Sequence, residues 1–223
     1  MRPLIIGQGI KVLHEDRELL VIDKPAGLLT IAGDYHRGPN AFDLVNRALS
    51  SRGDRSRIAV VHRLDRDTSG VLVFAKSGQT KKTLMNNWQD LVLDRRYTAV
   101  VEGDFPQDSG TIDAPLKEDR QGTMRIDPKG QRAITHWQLL EQGPWYSLLE
   151  LELETGRKNQ IRVHLAYLGR PIAGDSKYGA QSDPLKRLAL HATTIRLIHP
   201  VTRQELSWTV PAPAAFKELV ART

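Results

Sequence analysis

Cysteine is absent from the 223 residues, which excludes disulfides, thiolate metal sites and cysteine nucleophiles. Also missing is any run of about 18 apolar residues, the least that spans a bilayer as a helix. The first seven residues hold too short an apolar stretch for a signal peptide. Together these absences lead us to expect a cytoplasmic protein without a membrane. The seven histidines, at 14, 36, 62, 136, 164, 191 and 199, show no HExxH or comparable ligand spacing, so no metal is expected and each reads as structural. Ser69 lies outside any GxSxG elbow, and no glycine-rich loop or Asp-Phe-Gly follows His62-Arg63-Leu64-Asp65 as a kinase requires. No internal repeat is visible, and no linker is long enough to separate independent domains. The expected organisation is a loose arm over 1–11 and a single domain over 12–223.

Charge is plentiful and uneven. The net charge is +6 and the sequence pI about 9.6, which suggests a polyanionic partner. Residues 156–203 carry nine Lys/Arg and two Asp, whereas the rest of the chain carries 23 basic and 24 acidic residues. The excess is therefore local, as on a face that tracks phosphates, although an ordinary solvated basic surface has the same composition.

Hydrophobic residues make up 40% of the chain, enough for a core. Short β-branched runs at 19–23, 58–61 and 71–75 read as buried strands. Lys24-Pro25-Ala26-Gly27 ends the first of them. A polar loop is expected over 33–39. Asn40 is placed to cap a helix over 41–49, and Ser77 a second helix running to about 94. Alternation then predicts strands at 95–103, 134–140 and 147–153, and a strand pair within 190–210 with His191 half-buried. Between them, 104–133 is loop-rich and studded with Lys117, Arg120, Arg125, Lys129 and Arg132. Gly156 permits a sharp turn, Asn159 can cap a helix to Leu168, and Gly169 can end it. Ile161, Leu165 and Leu168 are its expected buried stripe, with Arg162 beside it. Pro211 and Pro213 stop the sheet before a short closing helix.

The densest stretch lies between two of those strands. His62-Arg63-Leu64-Asp65-Arg66-Asp67-Thr68-Ser69-Gly70 crowds four charges into five positions next to a histidine, and loops placed by a scaffold are where chemistry tends to sit. By spacing alone it is equally a charged hairpin tip. These nine positions resemble the signature of the RluA family of pseudouridine synthases. His62 favours that family over the related RsuA family, which usually has Gly there. The resemblance extends over about 12–213. Arg95-Arg96-Tyr97-Thr98-Ala99-Val100-Val101-Glu102-Gly103 is similar to the family's Lys/Arg-x-Tyr-x-Ala-x-Val-x-Gly segment. Leu153-Glu154-Thr155-Gly156-Arg157-Lys158-Asn159-Gln160-Ile161-Arg162-Val163-His164 is similar to its Leu-x-Thr-Gly-Arg-x-His-Gln-Ile-Arg-x-His pattern, with Asn159 in place of the usual His. The first motif resembles Val12–Leu29, where Lys24 is expected to be structural or near RNA.

The resemblance implies an α+β fold, a bent, mixed and mostly antiparallel sheet with flanking helices and a cleft along its middle. No S4 domain precedes it in the sequence, so target choice would rest on the catalytic domain. The implied activity is isomerisation of uridine to pseudouridine in structured ribosomal or transfer RNA, by a monomer, without cofactor or metal. Asp65 maps onto the catalytic residue and Tyr97 onto the tyrosine that packs on the target base. Arg162 maps onto the arginine that pairs with the catalytic aspartate, and an adjacent guanidinium favours the carboxylate form a nucleophile needs. Arg63 would hold the flipped nucleotide or fill its place, with His62 beside it. Arg157, Lys158, Arg120, Arg125, Lys129 and Arg132 are the candidate RNA contacts. Two other readings stay open: an RNA-binding module without activity, and a dimeric aspartic protease built on Asp67-Thr68-Ser69-Gly70, which would need two acids sharing a proton.

Overall fold

The run Leu19-Leu20-Val21-Ile22 has both faces sealed from solvent, and so does 71–75. Strands buried on both faces read as continuous apolar runs, not as alternation. In the computed structural model, which describes residues 4–33 and 38–222, these runs are β3 (Leu19–Lys24) and β5 (Ser69–Ala75). They pair antiparallel from Leu19↔Ala75 to Lys24↔Gly70. The chain divides into two compact units, one of 1–94 with 192–210 and one of 95–191 with 211–223.

In the first unit the sheet order is β1 (Ile5–Ile6), β2 (Ile10–Glu15), β3, β5, β12 (Leu190–Ile198) and β13 (Glu205–Thr209), with β4 (Ala59–Val60) also on β5. All but the first two residues of β12 lie in this unit. The expected arm over 1–11 is thus partly a strand pair, with Ile6 and Ile10 buried. Leu19, Val21, Val71 and Val73 share one core with Leu84, Leu91, Ile195 and Leu197. Each such side chain contributes about 1.5–3 kcal/mol on full burial. Asn40 caps α1 (Ala41–Ser51) by accepting from the Asp43 N–H at 2.9 Å, a contact of about 1 kcal/mol. Most of the expected 33–39 loop (34–37) falls outside the described residues.

Ser77 caps a helix as expected, but that helix does not reach 94. It is α2 (Gly78–Asn86), followed by one turn, α3 (Trp88–Leu91), with Asn87 in a non-helical conformation between them. β6 (Val92–Glu102) begins at once, because Val92 and Leu93 suit a strand as well as a helix end.

The second unit is an antiparallel sheet ordered β6, β11 (Tyr146–Leu153), β10 (Ile134–Gln142), β7 (Ser109–Asp113). A separate hairpin, β8 (Leu116–Glu118) and β9 (Met124–Ile126), stands within the loop-rich stretch. Two helices complete the unit, α4 (Gln160–Tyr167) and α5 (Ala214–Val220). Both units thus combine antiparallel strand pairing with a few short helices, an α+β fold.

Candidate active site

The predicted site residues fall in both units, and each group has its own scaffold. In the first, Asp65 is half-buried on the loop between β4 and β5. Thr30 grips the residue before it: the Leu64 N–H donates to Thr30 Oγ1 at 3.2 Å, and Thr30 Oγ1 donates to the Leu64 carbonyl at 2.9 Å. Lys24 grips the residue after it. Its ammonium, fully buried at 0% exposure, donates to the carbonyls of Leu28 (2.7 Å), Pro25 (3.0 Å) and Arg66 (3.1 Å). The Arg66 side chain returns a bond from Nε to the Gly27 carbonyl at 3.1 Å. Lys24 is therefore a brace inside the protein and not an RNA contact. Satisfying a buried cation with carbonyl oxygens is what makes its burial tolerable.

His62 accepts the Val73 N–H on Nε2 at 3.0 Å and lies tilted on Trp88 with centroids 5.5 Å apart. Its proton is therefore on Nδ1. The imidazole ties the entry of the loop to the strand at its exit. Gly70 closes the turn at φ 112°, and a Cβ there would sit 2.1 Å from the Ala192 carbonyl oxygen. Only glycine fits. Arg63 is exposed and has no partner among the described residues.

In the second unit, Tyr97 is buried on β6 opposite Leu151. Arg95 lies two residues before it, on the same strand face. Burial pushes the Arg95 guanidinium below its ordinary pKa, opposed by its interaction with Tyr97. Arg95 donates to the Leu153 carbonyl at 3.1 Å, and its Nη1 would lie 2.5 Å from a Cβ at position 156, so a side chain there would push the guanidinium aside.

The turn after Gly156 departs from expectation. Asn159 makes no cap; it is left-handed at φ 52°, a conformation asparagine tolerates. Its side chain accepts instead from the Tyr178 hydroxyl at 3.0 Å. Gln160 supplies the missing order: its Oε1 accepts from the Arg157 N–H and from Thr155 Oγ1, and its Nε2 donates to the Ile134 carbonyl. Along α4, Ile161 and Leu165 are buried as predicted. Leu168 is not, because the chain has left the helix there; Val163 and His164 take the remaining buried places. His164 bonds Thr135 Oγ1 and the Ala114 carbonyl, both at 2.9 Å, and burial pushes its pKa down. His191 is also fully buried, where half-burial was expected.

Arg162 is held by an acid the sequence did not single out. Its Nε and Nη2 donate to the two oxygens of Asp175, each at 2.7 Å, and its guanidinium lies 4.9 Å from the Tyr178 ring centroid. The signal was present in Arg170-Pro171-Ile172-Ala173-Gly174-Asp175-Ser176-Lys177-Tyr178-Gly179, which shares the family likeness, but nothing in it named a partner.

The six candidate RNA contacts gather around the hairpin, and half of their charges are already matched by acids. Lys158 pairs with Glu118 and donates to the Gly122 carbonyl. Arg125 pairs with Asp119 at 2.7 Å, Arg132 with Glu154 at 3.0 Å, and Arg157 donates to the Arg132 carbonyl. The Thr123 amide, then Arg125, hold the Asp119 carboxyl below its usual pKa. Arg120 and Lys129 are exposed, and their side chains have no partner among the described residues. The same matching holds for the wider basic segment, where Arg170 pairs with Asp104 at 2.9 Å and Arg196 with Glu205 at 3.0 Å.

Each unit thus carries one of the motifs singled out in the sequence, the 62–70 loop in the first and the Gly156–His164 turn in the second. The family model of RNA pseudouridylate synthases matches residues 18–167, and the chain belongs to that family. Among its relatives, the Bacillus subtilis protein "Uncharacterized RNA pseudouridine synthase YhcT" is 40% identical over 94% of this chain and 71% of its own length. "Ribosomal large subunit pseudouridine synthase D" of Haemophilus influenzae is 33% identical over 95% of this chain and 70% of its own. Among solved structures, human RNA pseudouridylate synthase domain containing 4 superposes with a TM-score of 0.73 at 26% identity, covering 92% of this chain and 90% of that one. Membership displaces the aspartic-protease reading, and Asp67 is an exposed turn residue leading into β5. No helix among the described residues is long and apolar enough to cross a membrane.

Proposed function

We propose that this pseudouridine synthase acts through Asp65 on a uridine flipped out of a structured ribosomal or transfer RNA. The observation that carries the reading is the brace on both sides of Asp65. Thr30 holds Leu64 and buried Lys24 holds Arg66, so the one half-buried carboxylate between them is set on a fixed backbone. Positioned groups of this kind are what a reaction with a transient, detached base requires.

Flipping costs a few kcal/mol of lost stacking, offset by contacts to the extruded base. Arg63, exposed and without a partner among the described residues, takes the space left in the RNA or holds the flipped nucleotide. Asp65 assists cleavage of the C1′–N1 bond, and Arg162 serves the same reaction, as its place in the family motif implies. The freed uracil rotates and rejoins the sugar through C5. The C5 proton then leaves with help from Tyr97, whose ring packs on the base. One C–N bond is exchanged for one C–C bond with no net redox change or hydrolysis, so the balance calls for no cofactor. Target choice rests on the shape of a single-stranded loop, read by the β8–β9 hairpin and its neighbours.

The test is release of tritium from RNA carrying 5-³H-uridine, in EDTA, with ribosomal and transfer RNA assayed separately from cells lacking the protein. Wild type should release tritium from at least one pool and Asp65→Ala from neither. Release by Asp65→Ala at the wild-type rate refutes the role of Asp65. Silence of the wild type on both pools, with tight RNA binding retained, favours an RNA-binding module.

A further inference from the structure

The Asp175 carboxylate is sealed, with 1% of its side chain exposed, while Arg162 is 15% exposed. An exposed arginine on an amphipathic helix has no need of a buried acid, and burying a carboxylate is costly unless it is paired with good geometry. Here the geometry is the two-point fork, Nε and Nη2 to the two carboxylate oxygens at 2.7 Å, which fixes the plane of the guanidinium as well as its position. The Tyr178 ring then covers the guanidinium at 4.9 Å.

Both supports are themselves fixed. The Asp175 carbonyl accepts from the amides of Tyr178 and Ala180, and its own N–H donates to the Ile172 carbonyl. The Tyr178 hydroxyl is held by left-handed Asn159, and its ring packs against Leu116, Met124, Ala133 and Val163. The fork engages two of the five N–H groups of Arg162 and through them fixes the plane of the whole guanidinium. A sealed carboxylate cannot touch RNA itself, and Arg162 is the side chain that binds both its oxygens.

Resting on the reading that Arg162 serves the reaction, we infer that Asp175 and Tyr178 are positioning residues that pre-set the Arg162 guanidinium, acting on turnover and not on RNA affinity. Asparagine at 175 keeps the shape but turns an N–H₂ toward one arginine N–H, so the fork loses one contact and the guanidinium its plane. Misplacement of a reacting-site group by about 1 Å can cost on the order of 100-fold.

The experiment measures single-turnover rate and RNA Kd for wild type, Asp175→Asn, Tyr178→Phe, Tyr178→Leu, Arg162→Ala and Arg162→Ala/Asp175→Asn, with thermal melts of each. Asp175→Asn and Tyr178→Leu should slow turnover roughly 10- to 100-fold with Kd within about twofold, whereas Tyr178→Phe, which keeps the ring and loses only the bond to Asn159, should be slowed less than Tyr178→Leu. With Arg162 already replaced, Asp175→Asn should slow turnover no further. The double variant should also melt above Arg162→Ala, because it no longer buries an unpaired acid. Wild-type turnover in Asp175→Asn, or an equal loss on both backgrounds, overturns the inference while leaving the proposed function standing. If Asp175→Asn does not fold, Tyr178→Leu decides: normal turnover overturns the inference, and slow turnover with normal Kd supports it. A wild type silent on both RNA pools overturns both readings.

Discussion

Lys24→Met removes a buried ammonium and leaves its shape. Three carbonyls lose a charged donor: Leu28 at 2.7 Å, Pro25 at 3.0 Å and Arg66 at 3.1 Å. Bonds to charged groups contribute about 1.5–3 kcal/mol each, but they do not sum here, because methionine also escapes the several kcal/mol cost of burying a cation. The Leu28 bond is fully buried and the remaining pair only partially so. An orphaned buried carbonyl costs about 1–3 kcal/mol, and the two half-sealed ones recover some hydration. A net loss of about 3 kcal/mol results, equivalent to a melting point lower by roughly 6–12 °C for a chain of this size. The catalytic consequence is separable. Releasing the Arg66 carbonyl unfastens one side of the Asp65 loop, so the single-turnover rate should fall on the order of 100-fold even well below the melting point, where the variant is folded. A variant that melts early yet turns over at the wild-type rate would show that Lys24 supports the core and not the loop.

Four further outcomes are expected. Gly70→Ala should cost several kcal/mol or prevent folding, since its Cβ would meet the Ala192 carbonyl at 2.1 Å and φ is 112°; denaturant titration checks this. His164 is buried with its pKa pushed down, so the unfolded chain binds the proton more readily. Its share of stability is full above about pH 6.5 and is lost as pH falls toward its folded value, by up to about 1.4 kcal/mol per pH unit. Urea midpoints for His164→Gln should show that component of the pH slope gone. Replacing Arg120 and Lys129 together by alanine should weaken RNA binding evenly across sequences and lower the slope of log K against log salt by about 0.7 per lost contact; an unchanged slope places RNA elsewhere. Arg125→Ala should change that slope less, because Arg125 is already paired with Asp119 at 2.7 Å.

Much of the architecture was legible because it is written locally. β3 and β5 announce themselves as apolar β-branched runs, Asn40 marks the start of α1, and Gly169 marks the end of α4. The nine residues from His62 to Gly70 located the loop of interest by resemblance. What escaped depends on groups distant in sequence. Lys24 was expected to be structural or near RNA, but only the fold brings the Arg66 carbonyl, 42 positions away, to its ammonium. Asn159 looked like a cap because its residue type suits one, but Gln160 reaches Ile134 and Thr155 and orders the turn from the next position. The basic excess of 156–203 was real as a count and weaker as a field, since Glu118, Asp104 and Glu205, all outside it, return to pair with Lys158, Arg170 and Arg196. The helix expected to reach 94 broke at Asn87, a residue that favours turns, and ended at Leu91, because Val92 and Leu93 suit a strand as well as a helix end.

The division of the chain has a consequence for its synthesis. The first unit draws on 1–94 and 192–210, and the second on 95–191 and 211–223. When residue 94 leaves the ribosome, the core of Leu19, Val21, Val71 and Val73 still lacks Ile195 and Leu197. At ordinary rates of synthesis the intervening segment takes roughly 5–20 s to make, and through that interval the strands of the first unit wait with an apolar face uncovered. Neither unit can be expressed alone by cutting the gene once, and a nonsense codon anywhere before 192 leaves both unfinished. The loop that carries Asp65 is among the first segments translated, yet the sheet beneath it is among the last to close.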